Sequence, residues 1–253
     1  MRRQDDESRY LFDDGLLEVS DVGGDAVPAG FYRIGFSNRN NSQLLPLSIP
    51  QQDEVIEPPE DEREIRRDMR LFFENEKLYR DMDIAYRRGA LMYGPPGTGK
   101  SYSIIRSVRE AIQNHNALAF VISNRFRFED VTDLRDELRD RNTIFIIEEI
   151  SSPNRRGIQS LSDLLSFLDG EYSWDRNYNV ATTNYPGDLP PNVIDRPGRF
   201  DKIIEMDHPS IEEREKFLQS YLGEDGFDYE ILERLEGYSI SYQGDGTEVT
   251  SVQ

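Results

Sequence analysis

Apolar residues repeat with two different periods along the middle of the chain. Stripes with helical spacing occur at residues 65–73, 104–112, 131–138 and 158–168, and short apolar runs occur at residues 90–93, 117–122, 143–147, 179–182 and 203–206. Uniformly apolar runs are typical of strands covered on both faces, and their alternation with helices is typical of a parallel sheet. The pattern therefore predicts an α/β fold, a parallel sheet with helices on both faces.

The two ends of the chain show different patterns. Over residues 1–60, short apolar runs are separated by Gly, Pro, Asn and Asp, which predicts a small β-rich N-terminal element. Residues 51–63 are acidic and contain proline, so we expect a linker and a domain boundary near residue 60. Helical spacing at residues 211–222 and 229–235 predicts a short helical C-terminal lid, either reduced or truncated. The expected regions are a β-rich part (1–60), a large α/β subdomain (61–208) and the lid (209–253).

The composition excludes several kinds of site. Cysteine is absent and the chain has two histidines, His115 and His208, so disulfides and cysteine-ligated metals are excluded and a zinc site is disfavoured. No run of 18 apolar residues occurs, and the N-terminus lacks the apolar stretch of a signal peptide. We therefore expect no membrane span and a cytoplasmic location.

The net charge of the chain affects which class of partner it can bind. The formal net charge is −19, which repels nucleic-acid phosphates unless basic residues cluster on one face. Arg125, Arg127, Arg155 and Arg156 are the candidates for such a cluster. A nucleic-acid partner is therefore disfavoured and stays open as an alternative.

The most specific motif lies at residues 94–101. It fits the phosphate-loop pattern G-x-x-x-x-G-K-[ST], with these candidate nucleotide contacts: Gly94, Pro95, Pro96, Gly97, Thr98, Gly99, Lys100 and Ser101. The motif follows an apolar strand and opens a helix, so backbone N–H groups and the helix N-terminus would converge on a phosphate. Lys100 would lie between the β- and γ-phosphates, and Ser101 would give its hydroxyl to Mg²⁺.

Two adjacent acids end the apolar run at residues 143–147. A phosphate loop needs an acidic partner at the end of a neighbouring strand, and Glu148 and Glu149 are placed to supply it. Adjacent residues of an extended segment point in different directions, so Glu148 would face the metal while Glu149 would polarise the attacking water. An Asp is usual at the first position, so Glu148 is a departure that could shift the metal contact.

Further polar residues follow the next strand. Asn184 ends an apolar run and could hold the attacking water or the γ-phosphate by a hydrogen bond. Arg196 and Arg199 flank a Pro-Gly turn, from which guanidinium groups can reach a phosphate outside their own subunit. These three residues complete the predicted catalytic set.

The order of these motifs, GPPGTGKS, IFIIEE, ATTN and DRPGRFD, resembles the AAA subgroup of the AAA+ ATPases over residues 85–208. Within that group the sequence is most similar to the respiratory complex III assembly chaperones, the Rieske-protein translocase branch, through residues 86–93, 123–133 and 161–170. That branch also tends to place Glu first in the acidic motif. The resemblance implies ATP and Mg²⁺ as cofactors. It also implies nucleotide contacts by Tyr102 and, for the adenine, by residues near Asp83 and Ile84.

The resemblance also shapes the expected function. It implies a homo-oligomeric ring, a hexamer or heptamer, in which ATP hydrolysis drives remodelling or translocation of a protein partner. The branch members carry a membrane span and a middle domain, whereas only about 60 residues precede the ATPase region here, so membrane translocation is not expected. Two alternatives stay open: a nucleic-acid-linked AAA ATPase of the loader or mobile-element type, and a nucleotide-gated scaffold that hydrolyses slowly because of Glu148.

Overall fold

One eight-stranded sheet dominates the fold. The computed structural model describes residues 17–18, 27–36, 42–49, 58–122, 134–135, 138–151, 161–169, 175–194, 196, 198–213, 215–216, 238–243 and 246–251. The strands are β1 (Leu17–Glu18), β2 (Gly30–Phe36), β3 (Ser42–Pro46), β4 (Arg87–Tyr93), β5 (Leu118–Ile122), β6 (Thr143–Ile147), β7 (Asn177–Thr183) and β8 (Lys202–Glu205). They are ordered β1-β3-β2-β5-β6-β7-β4-β8. The strands from β2 to β8 in this order are parallel, while β3 is antiparallel to both β2 and β1.

Five helices accompany this sheet in the described part of the chain. They are α1 (Glu60–Glu74), α2 (Glu76–Asp81), α3 (Lys100–His115), α4 (Leu161–Asp169) and α5 (Pro191–Ile194), with a 3-10 turn at Pro186–Asp188. Residues 134–135 and 138 are also helical, within the helix predicted at 131–138, and the rest of that helix lies outside the described residues. No described helix has the length and apolar character needed to cross a membrane.

The core lies on both faces of the sheet, as predicted. Strand β6 shows the reason, because its five residues are all buried and alternate between the two faces. Ile144 and Ile146 pack in one apolar cluster with α1 and α3, whereas Phe145 packs in the other with Phe167 of α4, at a ring separation of 5.0 Å. The α/β class is therefore confirmed, with the phosphate-loop strand β4 between β7 and the edge strand β8.

The N-terminal strands extend this sheet. The sequence predicts a small β-rich N-terminal element, and in the structure its strand β2 pairs with β5, Phe31 opposite Ala119. Leu44 of β3 is fully buried in the same core. The local pattern predicts that these segments are strands, but it does not say which strand each will pair with. The domain boundary near residue 60 stays a prediction, and the sheet contains strands from both sides of it.

The structure describes only part of the region expected to form a helical lid, which therefore stays a prediction. Residues 211–213 and 215–216 are helical, while the rest of the helix expected at 211–222 and all of that expected at 229–235 lie outside the described residues. An antiparallel hairpin of β9 (Tyr238–Gln243) and β10 (Gly246–Ser251) follows, which was not predicted. The sequence signal for it was the pair Gly244-Asp245 between two strand-like segments, a pattern typical of tight hairpins.

Candidate active site

The glycine loop follows β4 and precedes α3, where the sequence predicts it. Gly94, Gly97 and Gly99 have φ values of 147°, 78° and 92°, a backbone region that residues with a Cβ rarely adopt. At Gly94 a Cβ would also lie 1.9 Å from the carbonyl oxygen of Met206, just beyond β8. Glycine is therefore required here both for the turn of the loop and for its close approach to the neighbouring strand.

Lys100 is buried inside this loop. Its ammonium donates to the carbonyl oxygens of Gly94 at 2.8 Å and Pro95 at 2.7 Å, and lies 3.4 Å from Oγ1 of Thr98. Burial lowers the pKa of Lys100, and the negative charge of nearby Glu149 acts in the opposite direction. The loop thus holds a positive charge where a phosphate group can reach it.

The first turn of α3 carries the other candidate contacts of the loop. Ser101 is exposed, so its hydroxyl is accessible to a metal ion. Tyr102 is half-buried, with the guanidinium of Arg106 5.5 Å from its ring centroid. Since the free N–H groups of a helix N-terminus attract anions, this turn faces the same ligand as the loop.

The two acids follow β6, which is not a direct neighbour of β4. Strand β7 lies between β6 and β4. The acids therefore follow the second strand from β4, and not the strand next to it as the sequence suggested. Glu148 is exposed. Glu149 has a left-handed φ of 51°, and its backbone N–H donates to Oγ1 of Thr182 at 2.9 Å. This bond directs Glu149 toward β7 and so toward the glycine loop.

The carboxylate of Glu149 is bound at the end of β7. It accepts from the backbone N–H of Asn184, at 3.1 Å to Oε2 and 3.3 Å to Oε1, and from the hydroxyl of Ser151 at 2.7 Å. The backbone N–H of Gly94 in turn donates to the carbonyl oxygen of Thr183 at 3.3 Å. The structure therefore brings together the glycine loop, Glu149 and Asn184 at the carboxyl ends of β4, β6 and β7.

Asp83 and Ile84 are not part of this group. Both are exposed and precede β4, whereas the glycine loop follows it. The seven-residue strand separates the two ends by roughly 20 Å at about 3.3 Å per residue. The resemblance suggested an adenine contact near these residues, and the structure does not bring them to the loop.

The two arginines of the Pro-Gly turn have different surroundings. Arg199 is 3% exposed, and its Nε and Nη2 donate to the two carboxylate oxygens of Asp169 at 2.7 Å each. It also donates to the carbonyl oxygen of Asn192. Arg196 has a side chain that is 58% exposed and makes one bond of 2.8 Å to Asp169. Arg199 is thus held within its own chain, and its expected role at a phosphate of another subunit stays a prediction, while Arg196 keeps an accessible guanidinium.

This turn lies at the opposite edge of the sheet from the glycine loop. The backbone N–H of Asp201 donates to the carbonyl oxygen of Gly89 at 2.9 Å, and a Cβ on Gly89 would lie 1.8 Å from the carbonyl oxygen of Arg199. Gly89 is five residues before Gly94 on β4, a separation of roughly 16 Å. The turn that carries Arg196 is therefore remote from the phosphate loop of its own chain.

Four residues of these networks were given no role by the sequence reasoning. Glu149 is bound by Thr182, Thr183 and Ser151, and the arginines are bound by Asp169. All of these except Ser151 lie within the motifs named above. Their signal was the presence of hydroxyl or carboxylate groups next to catalytic candidates. Nothing in a single sequence pairs Asp169 with Arg199, which lies 30 positions later.

The donor set fits magnesium bound together with a nucleotide. Within the described ranges, no group of three or more His, Cys, Asp or Glu is placed to hold a metal ion by itself. Mg²⁺ in nucleotide sites is instead held by one or two protein oxygens and by the phosphates. Ser101 and Glu148 can supply those oxygens, since both are exposed, Ser101 in the first turn of α3 and Glu148 directly after β6.

A parallel sheet with a glycine loop before a helix and acids at the end of a nearby strand defines the class of P-loop nucleoside triphosphatases. The family model described as "ATPase family associated with various cellular activities (AAA)" matches residues 90–208. Residues 90–208, a little under half of the chain, are thus similar to this family of ATPases.

Three similar proteins carry names that refer to an ATPase or a nucleotidase. AAA-ATPase At2g18193 of Arabidopsis thaliana is 30% identical over 219 residues, 79% of this chain and 42% of the relative. The proteasome-activating nucleotidase of Saccharolobus solfataricus is 31% identical over 242 residues, 80% of this chain and 61% of the relative. AAA-ATPase At5g17760 of Arabidopsis thaliana is 32% identical over 180 residues, 64% of this chain and 35% of the relative. The chain thus spans between about a third and three fifths of the lengths of these relatives.

Proposed function

We propose that the chain binds Mg·ATP at residues 94–101 and hydrolyses it within a ring of identical subunits, and that this cycle remodels a protein partner. Lys100 and the loop N–H groups hold the phosphates, Ser101 and Glu148 hold Mg²⁺, and Glu149 polarises the attacking water. Asn184 orients the γ-phosphate or that water. Mg²⁺ supplies charge neutralisation on the phosphates when it is bound.

The observation that carries this proposal is the proximity of Lys100 and Glu149. Glu149 accepts from the backbone N–H of Asn184 just after β7, and the carbonyl oxygen of the preceding Thr183 accepts from Gly94, which opens the loop that holds Lys100. One cation inside a glycine loop and one carboxylate beside it are the groups that phosphoryl transfer to water needs. A scaffold that only binds nucleotide has no use for a carboxylate held at this position by donors from Ser151 and Asn184.

A ring is proposed because of the position of Arg196. Its guanidinium is exposed at the edge of the sheet opposite to its own glycine loop. A second subunit placed against that edge would present its own loop to Arg196, so that each site is completed by a neighbour. Such an arginine stabilises the charge of the transition state and typically contributes about 10³- to 10⁵-fold in rate.

The protein partner is proposed from the relatives. The relative from Saccharolobus solfataricus is named as a proteasome-activating nucleotidase, so it acts together with another protein assembly. The negative net charge also favours a protein over a nucleic acid. The specific resemblance to the respiratory complex III assembly chaperones and the cytoplasmic location stay predictions. Of the four candidate basic residues for nucleic acid, all lie outside the described residues.

Phosphate release from Mg·ATP tests the proposed activity. We expect turnover by the unmodified chain, loss of at least about 100-fold in Glu149→Gln because the base is gone, and no change in the matched control Glu74→Gln, whose side chain is exposed on α1. Turnover by Glu149→Gln at the unmodified rate would contradict the assignment. Stimulation of the unmodified chain by DNA, with none by protein substrates, would favour the nucleic-acid alternative.

A further inference from the structure

Two hydroxyl groups connect the end of β7 to the carboxylate of Glu149. The backbone N–H of Tyr185 donates to Oγ1 of Thr183 at 3.1 Å. Oγ of Ser151 lies 2.7 Å from Oγ1 of Thr183 and 2.7 Å from Oε1 of Glu149. We call this pair of hydroxyls, Thr183 and Ser151, the hydroxyl relay.

The direction of each hydrogen bond in the relay follows from counting hydrogens. An ionised carboxylate only accepts, so the single hydrogen of Ser151 points to Glu149. With that hydrogen used, Ser151 can only accept from Thr183 across their 2.7 Å contact. Thr183 can do this because its oxygen accepts from Tyr185 and its hydrogen remains available. The relay therefore runs in one direction, from Tyr185 through Thr183 and Ser151 to Glu149.

The Thr183 end of the relay is buried within the sheet. Thr183 is fully buried and pairs with Tyr93 of β4, which leads into the glycine loop. Asn184 lies between the relay residue Thr183 and Tyr185 along the chain, and its own N–H binds the same carboxylate. A shift of Asn184 on binding a γ-phosphate would therefore be transmitted to Thr183 and Tyr185, and through Ser151 to Glu149.

We propose that Ser151 is a positioning residue for ATP hydrolysis, which orients the carboxylate of Glu149 according to the position of residues 183–185. This inference rests on the proposed function. Ser151 fixes Oε1 of Glu149, while Oε2 accepts one N–H from Asn184 and keeps a lone pair for the attacking water. Loss of the Ser151 hydroxyl frees the carboxylate to rotate, so the water loses its alignment without any change at the phosphates.

The test is steady-state ATPase kinetics on the full chain with Ser151→Ala, Ser151→Thr and Thr183→Val. We expect kcat to fall roughly tenfold in Ser151→Ala, with KM for ATP within about twofold, because orientation and not binding is lost. Ser151→Thr keeps a hydroxyl and should restore most of kcat. The control Ser48→Ala, at an exposed position after β3, should leave both constants unchanged.

The double variant Ser151→Ala/Thr183→Val distinguishes a relay, in which the two hydroxyls act in series, from two hydroxyls that act independently. If the hydroxyls act in series, the double variant loses no more kcat than the more severe single variant. Unchanged kcat in Ser151→Ala, additive losses, or a failure of Ser151→Thr to restore kcat would each overturn the proposal. A parallel rise in KM and fall in melting temperature would overturn it too, since that indicates a structural role.

The failure of this inference can be told apart from failure of the proposed function. If Glu149→Gln is inactive while Ser151→Ala has normal kcat, only the relay is wrong. If Glu149→Gln itself turns over ATP at the unmodified rate, the role of Glu149 is wrong, and the relay then has no catalytic group to position.

Discussion

The carboxylate of Asp169 binds the guanidinium of Arg199 through two hydrogen bonds of 2.7 Å each. One of its oxygens also accepts from Arg196 at 2.8 Å. Asp169 ends α4, whose buried face lies in the core beside β6, so both arginines are held relative to the sheet. Arg199 is buried, whereas the side chain of Arg196 is exposed, so we expect replacement of each arginine to have a different effect.

Replacement of Arg199 should reduce stability. Arg199→Ala removes a buried partner of Asp169 and leaves the carbonyl oxygen of Asn192 without its donor. Breaking a buried ion pair costs about 3 kcal/mol, so we expect the free energy of unfolding in urea to fall by about that amount. Arg196→Ala, at an exposed position, should change it by less than about 1 kcal/mol. Equal losses in both variants would contradict the distinction.

Replacement of Arg196 should reduce catalysis in a neighbouring subunit. We expect Arg196→Ala to lose ATP turnover by about 10³-fold while its own site still binds nucleotide. Mixing inactive Arg196→Ala with inactive Glu149→Gln should restore part of the activity, because some sites then combine an intact Glu149 with an intact neighbouring Arg196. If the mixture forms rings but remains inactive, Arg196 does not act between subunits.

The Asp169 pair should also make stability depend on pH. Hydrogen bonds from Arg199 lower the pKa of Asp169 below its ordinary value of 3.8. A carboxyl with a lowered pKa in the folded state contributes stability above its unfolded pKa, and this is lost as the pH falls through the folded value. Asp169→Asn should therefore be less stable than the unmodified chain at neutral pH, with the difference shrinking below about pH 4. A difference that stays constant in urea titrations across this range would contradict the pairing.

Gly89 should not tolerate a side chain. A Cβ there would lie 1.8 Å from the backbone carbonyl oxygen of Arg199, which cannot move without displacing the Arg196–Arg199 turn. We expect Gly89→Ala to lower the free energy of unfolding by about 1–3 kcal/mol, in the range of overpacked cores. Gly187→Ala is the matched control, since no atom lies within 4 Å of a Cβ at that position. A stable Gly89→Ala variant would show that the turn is free to shift.

The local sequence pattern was sufficient to predict an element whose structure depends on its own segment alone. The bounds of β6 and the start of α3 at Lys100 agree with the sequence prediction. Few other structures are compatible with a uniformly apolar run or with a glycine loop before a helix. The order of motifs was likewise enough to bring Glu149 and Asn184 to the glycine loop.

Features that depend on distant partners could not be predicted in this way. The pairing of β2 with β5 and the insertion of β7 between β4 and β6 depend on which edges are free in the folded sheet. The burial of Arg199 depends on Asp169, a residue in another element, and the same motif is compatible with an exposed side chain. The adenine contact suggested near Asp83 came from resemblance alone, and the length of β4 separates it from the loop.

The central claim is that Lys100 and Glu149 belong to one Mg·ATP site, and calorimetric titration with Mg·ATP tests it most directly. We predict saturable heat for the unmodified chain, for Glu149→Gln and for the control Lys77→Ala, whose side chain is exposed on α2, and no heat for Lys100→Ala. Glu149→Gln should bind without releasing phosphate. An absence of heat with the unmodified chain, or equal binding by Lys100→Ala, would contradict the account.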